Sequence, residues 1–75
     1  MTPKMPVVNA RELIRALERA GFFVARQSGS HVIMKRISDK RRVVVPSHVG
    51  DVHQGIMRSI LHQANMPVDE FLNLL

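Results

Sequence analysis

The connections in the middle of this chain are too short for its strands to run parallel. Between Phe22 and Pro46, three runs rich in β-branched and aromatic residues, "FFVARQ", "HVIMKRI" and "RVVVP", are separated only by "SGS" and "SDKR". A parallel pair needs a crossover of about a dozen residues or more. An antiparallel meander is what remains. In that reading Gly29 supplies the positive φ of a tight hairpin turn, Ser30 supports the turn, and Pro46, lacking an N–H, closes the third run.

Amphipathic segments flank the meander. In "NARELIRALERAG", Asn9 is an N-cap with Glu12 at the capping-box position, and Val8 can staple against Leu13. Ala10, Leu13, Ile14, Leu17 and Ala20 form an apolar stripe that Gly21 ends, while Arg11, Arg15 and Arg19 line the other side. Those arginines read as a solvated face or as an RNA track. Beyond Pro46, Asp51 is the expected N-cap of a second helix, with Gln54 at the capping-box position. Ile56, Met57, Ile60, Leu61 and Ala64 share one face, and Asn65 and Pro67 end it. "VDEFLNLL" reads as a short terminal helix able to lay Phe71, Leu72 and Leu75 on the core.

The order α-β-β-β-α predicts an α+β fold like that of double-stranded-RNA-binding domains. Its parts are a three-stranded antiparallel sheet, two helices on one face, and a short C-terminal helix. Residues 1–8, with two prolines, are expected to be a flexible lead, and 9–75 a single domain.

At 75 residues the chain is near the lower limit for burying its own core, and without cysteine it has neither disulfides nor a thiolate metal site. It is too small to enclose a large ligand, so chemistry is expected on an open surface, acting on something large. No run approaches the roughly 20 apolar residues of a membrane span. "MTPKMPVV" lacks the apolar core of a secretory signal, so the cytoplasm is the expected compartment. The net charge is +5, and arginine supplies most of the basic residues. Guanidinium groups match phosphate geometry, which points to nucleic acid or an acidic protein as partner, although a basic chain also gains solubility. The only aromatics are three phenylalanines. An RNA grip is therefore expected on backbone and shape rather than on stacked bases.

Alternation puts His31 on one side of its strand with Ile33 and Lys35, and Val32, Met34 and Arg36 on the other. Imidazole is the side chain that exchanges protons near neutral pH. With Lys35 on the same face and Arg26 across the hairpin, His31 could take a proton from a ribose 2′-hydroxyl while the cations hold the phosphate. Spacing alone favours a histidine that bonds the loop or packs at the core edge. Ser30 makes a poor nucleophile partner for His31, because neighbouring strand residues point to opposite faces. His48, ahead of the second helix, reads as a further phosphate contact or as a solvated loop residue. His53 and His62 form no i, i+4 pair with each other or with His48, and no zinc-ligand spacing occurs, so neither metal nor other cofactor is expected. Arg36, Lys40, Arg41 and Arg42 crowd the second turn, either to bind phosphate or to protect a sheet edge.

Taken in order, "ERAGF", "RQSGSH", "VVVPSH" and "GIMRSILHQANM" resemble the HicA family of mRNA interferase toxins over about Asn9 to Phe71. The resemblance implies an endoribonuclease that works without metal, with the histidine of the Gly-Ser-His hairpin, His31 here, as general acid or base. It also implies an antitoxin partner of the HicB type that covers the active surface, with DNA contacted only through that partner. Members of the family commonly carry Gly-Thr-Leu where this chain has Gly55-Ile56-Met57, so a hydroxyl is absent. The competing expectations are a non-catalytic RNA-binding module on the same fold and a docking face for an acidic protein.

Overall fold

A computed structural model describes residues 5–47 and 50–75. Along the chain run β1 (Val8–Asn9), α1 (Ala10–Arg19), β2 (Phe23–Ser28), β3 (His31–Arg36), β4 (Arg41–Pro46), β5 (Asp51–Val52), α2 (Gln54–Gln63) and α3 (Val68–Leu74). The three long strands form one antiparallel sheet in the order β2-β3-β4, as the short connections require. Gly29, at the first of two turn positions between β2 and β3, has φ +58°.

The helices cover one face of the sheet. Val32 and Met34 of β3 and Val43 and Val45 of β4 point into a core shared with Leu13, Ala16 and Leu17 of α1 and with Met57, Ile60 and Leu61 of α2. Phe71 of α3, fully buried, completes it. Burying each side chain of this size contributes about 1.5–3 kcal/mol, and that is what holds so short a chain together. Leu74, rather than the half-exposed Leu75, packs with Phe71 and Val68 of the terminal helix.

The helix ends follow their sequence signals unevenly. Asn9 Oδ1 accepts from the Glu12 N–H at 2.8 Å, and Glu12 Oε1 accepts from the Asn9 N–H at 3.1 Å, which closes the capping box. Past the end of α1, Gly21 takes φ +99° and the Phe22 N–H reaches back to the Leu17 carbonyl at 3.0 Å. Past α2, Asn65 takes φ +54° and the Met66 N–H bonds the Leu61 carbonyl at 2.9 Å. Both are left-handed C-terminal stops. Asp51, however, is not the N-cap of α2. It is drawn into β5, which pairs with β1 (Val8 with Val52, Asn9 with Asp51), so the cap falls to His53, whose side chain makes no capping bond.

That short pairing also affects the lead. Met5 and Val8 are buried against the core together with Val52, so packing starts ahead of Asn9, where the sequence pattern placed the domain boundary. No helix among the described residues is long and apolar enough to cross a membrane.

Candidate nucleic-acid interface

The face of the sheet away from the helices carries three rows of side chains. Register aligns Ser28, His31 and Pro46 in the first, Arg26, Ile33 and Val44 in the second, and Phe23, Lys35 and Arg42 in the third. Successive rows lie about 7 Å apart. Strict alternation would put Arg26 and Phe23 on opposite faces. A bulge at Ala25, between Val24 and Arg26, shifts the parity of β2 by one residue and brings both to this side.

Ile33 shows how the long side chains lie. It sits on the face without helices, outside the core cluster, yet it is only 6% exposed. With Ala25, Arg26, Lys35 and Arg42 it lines a depression of about 360 Å³, so the cationic arms cover its side chain while their heads reach solvent. Arg26, Lys35 and Arg42 form no ion pair among the described residues, where both salt bridges go to Asp39. Within residues 22–50 six lysines and arginines face a single acid, Asp39. This face therefore carries uncompensated positive charge, which suits a phosphate.

His31 stands at one end of this field, exposed, directly after the Gly29–Ser30 turn. Its backbone lies between those of Ser28 and Pro46. The turn is braced from β4's side by Ser47, whose N–H and Oγ both donate to the Ser30 carbonyl, at 2.6 and 2.9 Å. The imidazole makes no hydrogen bond to any described residue. It can meet an incoming group, and its mounting is fixed.

Arg36 does not join the open face. It shares the parity of Val32 and Met34, and its guanidinium is spent on structure. Nη1 donates to the Ala20 carbonyl at 3.0 Å and Nη2 to the Ala64 carbonyl at 3.2 Å, the C-caps of α1 and α2. Nε and Nη2 also grip Asp39 at 3.0 and 2.7 Å, and the group lies 4.5 Å from the centre of the Phe22 ring. The hydrogen bond to Asp39 raises the Arg36 pKa, and the same bond holds the Asp39 carboxyl below its ordinary value. Arg41 stands beside this pair, with Nε 3.9 Å from Asp39. Lys40 occupies the turn with φ +59°.

His48 lies outside the described residues. His53 and His62 are exposed on the α2 segment. Among the described residues no three His, Asp or Glu side chains converge as a metal site would need.

Two participants carry no local signal in the sequence. Only the register shows that Ser47 reaches the Ser30 turn. Phe23 was hidden by the bulge, since simple alternation does not align it with Arg26.

A family model described as HicA toxin of bacterial toxin-antitoxin matches residues 10–66, a span that takes in α1, the whole sheet and α2. No curated protein matches the chain.

Proposed function

The chain belongs to the HicA family of toxins from bacterial toxin–antitoxin systems, and from that premise we propose that it is a metal-independent endoribonuclease cleaving mRNA, with His31 as general acid and base. The observation that carries the proposal is the exposed imidazole of His31 on a braced strand end, on the same face as three cations that form no ion pair among the described residues.

In the proposed reaction His31 accepts the proton of a ribose 2′-hydroxyl. The 2′-oxygen bonds to the adjacent phosphorus while the bond from phosphorus to the 5′-oxygen breaks. The departing 5′-oxygen takes a proton from the imidazolium or from water, leaving a 2′,3′-cyclic phosphate and a 5′-hydroxyl. In this reading Arg26, one row from His31, offsets charge on the phosphorane, and Lys35 and Arg42 hold the neighbouring backbone. Arg36 is left out of this set because its donors are already engaged. Arg41 and His48 are kept as peripheral phosphate contacts. A positioned acid–base group contributes roughly 10²–10⁴-fold, so a site of this size is expected to be slow and tolerant of sequence.

The toxin's partner is proposed to be a HicB-type antitoxin that covers the open face in the cytoplasm and supplies any contact with DNA. Among the described residues His31 is the only imidazole in the three rows of the open face. That observation favours, as second reading, an RNA-binding module that does not cut. Purified protein incubated with mRNA, with and without excess EDTA, separates the two. Discrete fragments are expected. Intact RNA retained in a salt-dependent way would establish the binding module instead, and cleavage abolished by EDTA would overturn the metal-free chemistry.

A further inference from the structure

The third row of the open face ends in an apolar patch that cleavage at His31 does not use. Phe23 is 43% exposed and Ile37 80% exposed, whereas Phe22 and Phe71 are buried. Phe23 and Ile37 share a shallow cavity of about 420 Å³ with Lys35, Lys40, Arg41 and Arg42. A single aromatic ring in solvent beside four cations combines the two things a single-stranded nucleic acid needs, a surface for a base to stack on and charge for the phosphates either side of it. We propose that Phe23 is a base-stacking subsite for single-stranded RNA, set back from the cleavage site along the same face.

Resting on the RNA-cleavage reading, this names where the substrate is gripped beyond the reacting phosphate. Lys35 belongs both to this cavity and to the depression around Ile33, so the cationic track is continuous from Arg26 to the patch. The third row is two rows, about 13 Å, from that of His31, so the stacked base is not the one bearing the attacking hydroxyl. An acidic protein helix fits less well. Helix-in-groove docking uses apolar anchors over about two turns, and this patch offers one phenylalanine and one isoleucine. The expectation of a grip on backbone and shape alone is thereby extended by one stacked base.

The chain contains neither tryptophan nor tyrosine, so a Phe23→Trp substitution introduces the sole indole, placed at the proposed contact. In a Phe23→Trp, His31→Ala protein, which keeps the RNA intact, a single-stranded oligoribonucleotide should quench the indole fluorescence. Inorganic polyphosphate and poly-glutamate, which carry charge without bases, should not. Phe23→Ala in the otherwise unaltered protein should raise KM for RNA about 5- to 100-fold, the loss of one stacked base, and leave kcat nearly unchanged. Equal quenching by polyphosphate, quenching by poly-glutamate alone, or no quenching by RNA would overturn the subsite. If RNA quenches the indole but the unsubstituted protein cuts nothing, the stacking site stands and the cleavage reading falls. If the unsubstituted protein cuts RNA and Phe23→Ala leaves KM unchanged, the cleavage reading stands and the subsite falls.

Discussion

His31→Ala is expected to lower the rate of RNA cleavage by about 10²–10⁴-fold, the contribution of one positioned acid–base group, while the protein keeps its fold and its affinity for RNA. The side chain is exposed and bonded to no described residue, so removing it takes nothing from the core. Exposed substitutions of this kind change stability by about 0.5 kcal/mol or less. Turn and strand stay in place because the Gly29 conformation and the two Ser47 bonds to Ser30 hold them, and neither involves the imidazole. In the proposed function RNA is held by Arg26, Lys35 and Arg42, which the substitution leaves intact. Thermal unfolding, filter binding and initial cleavage rates on one preparation test all three parts. Cleavage within threefold of the unsubstituted rate, measured roughly against the expected hundredfold or greater loss, would remove His31 from the chemistry.

Among the charged residues, the largest expected effect on stability belongs to Arg36, not to any residue of the open face. Arg36→Met keeps most of the apolar stem and removes the donors to the Ala20 and Ala64 carbonyls, the grip on Asp39, and the cation over Phe22. Those two carbonyls are the C-terminal ends of α1 and α2, where helix dipoles favour a cation and unpaired acceptors are costly. Hydrogen bonds to a charged group are worth about 1.5–3 kcal/mol each when shielded. The site is partly open to water, so the expected loss is about 2–3 kcal/mol in total. For a domain of this size that lowers Tm by roughly 10–20 °C. Arg42→Met, on the open face with no ion pair to lose among the described residues, should lower Tm far less and weaken RNA binding instead. A Tm for Arg36→Met equal to that of Arg42→Met would refute the structural assignment.

The same pair has a pH signature. Arg36 depresses the pKa of Asp39 in the folded chain, so its stabilising contribution is complete above the unfolded carboxylate value of about 4 and is lost as pH falls through the lower, folded value. Asp39→Asn should therefore flatten that part of the acid limb by lowering stability in the neutral range, by a small amount because Asp39 is exposed, and its curve should converge with that of the unsubstituted protein at acid pH.

Legibility in the sequence tracked the range of the interactions involved. Helix α1 could be read from its first residue to its stop, since Asn9, Glu12 and Gly21 act within a few positions of themselves. The meander was equally legible, because loop length alone excludes parallel pairing. By contrast, β1 and β5 are two residues each and pair across more than forty positions, so no local pattern announces them. Asp51 has the local pattern of a cap yet serves as the strand partner of Asn9, a pairing invisible until the chain is folded. The role of Arg36 was half legible. Its alternation with Val32 and Met34 pointed it away from Lys35, but nothing in the sequence shows two helix ends converging on it. The bulge at Ala25 is the opposite case, a single inserted residue that changes which side chains share a face and so builds the third row.

The most direct test of the central claim is the chemistry left on the RNA. A defined single-stranded RNA cut by the purified protein in EDTA should yield fragments ending in a 2′,3′-cyclic phosphate, each followed by a fragment with a free 5′-hydroxyl, both identifiable by mass spectrometry. Fragments with a 3′-hydroxyl and a 5′-phosphate would mean that water, not the ribose 2′-oxygen, attacks, and would contradict the role given to His31.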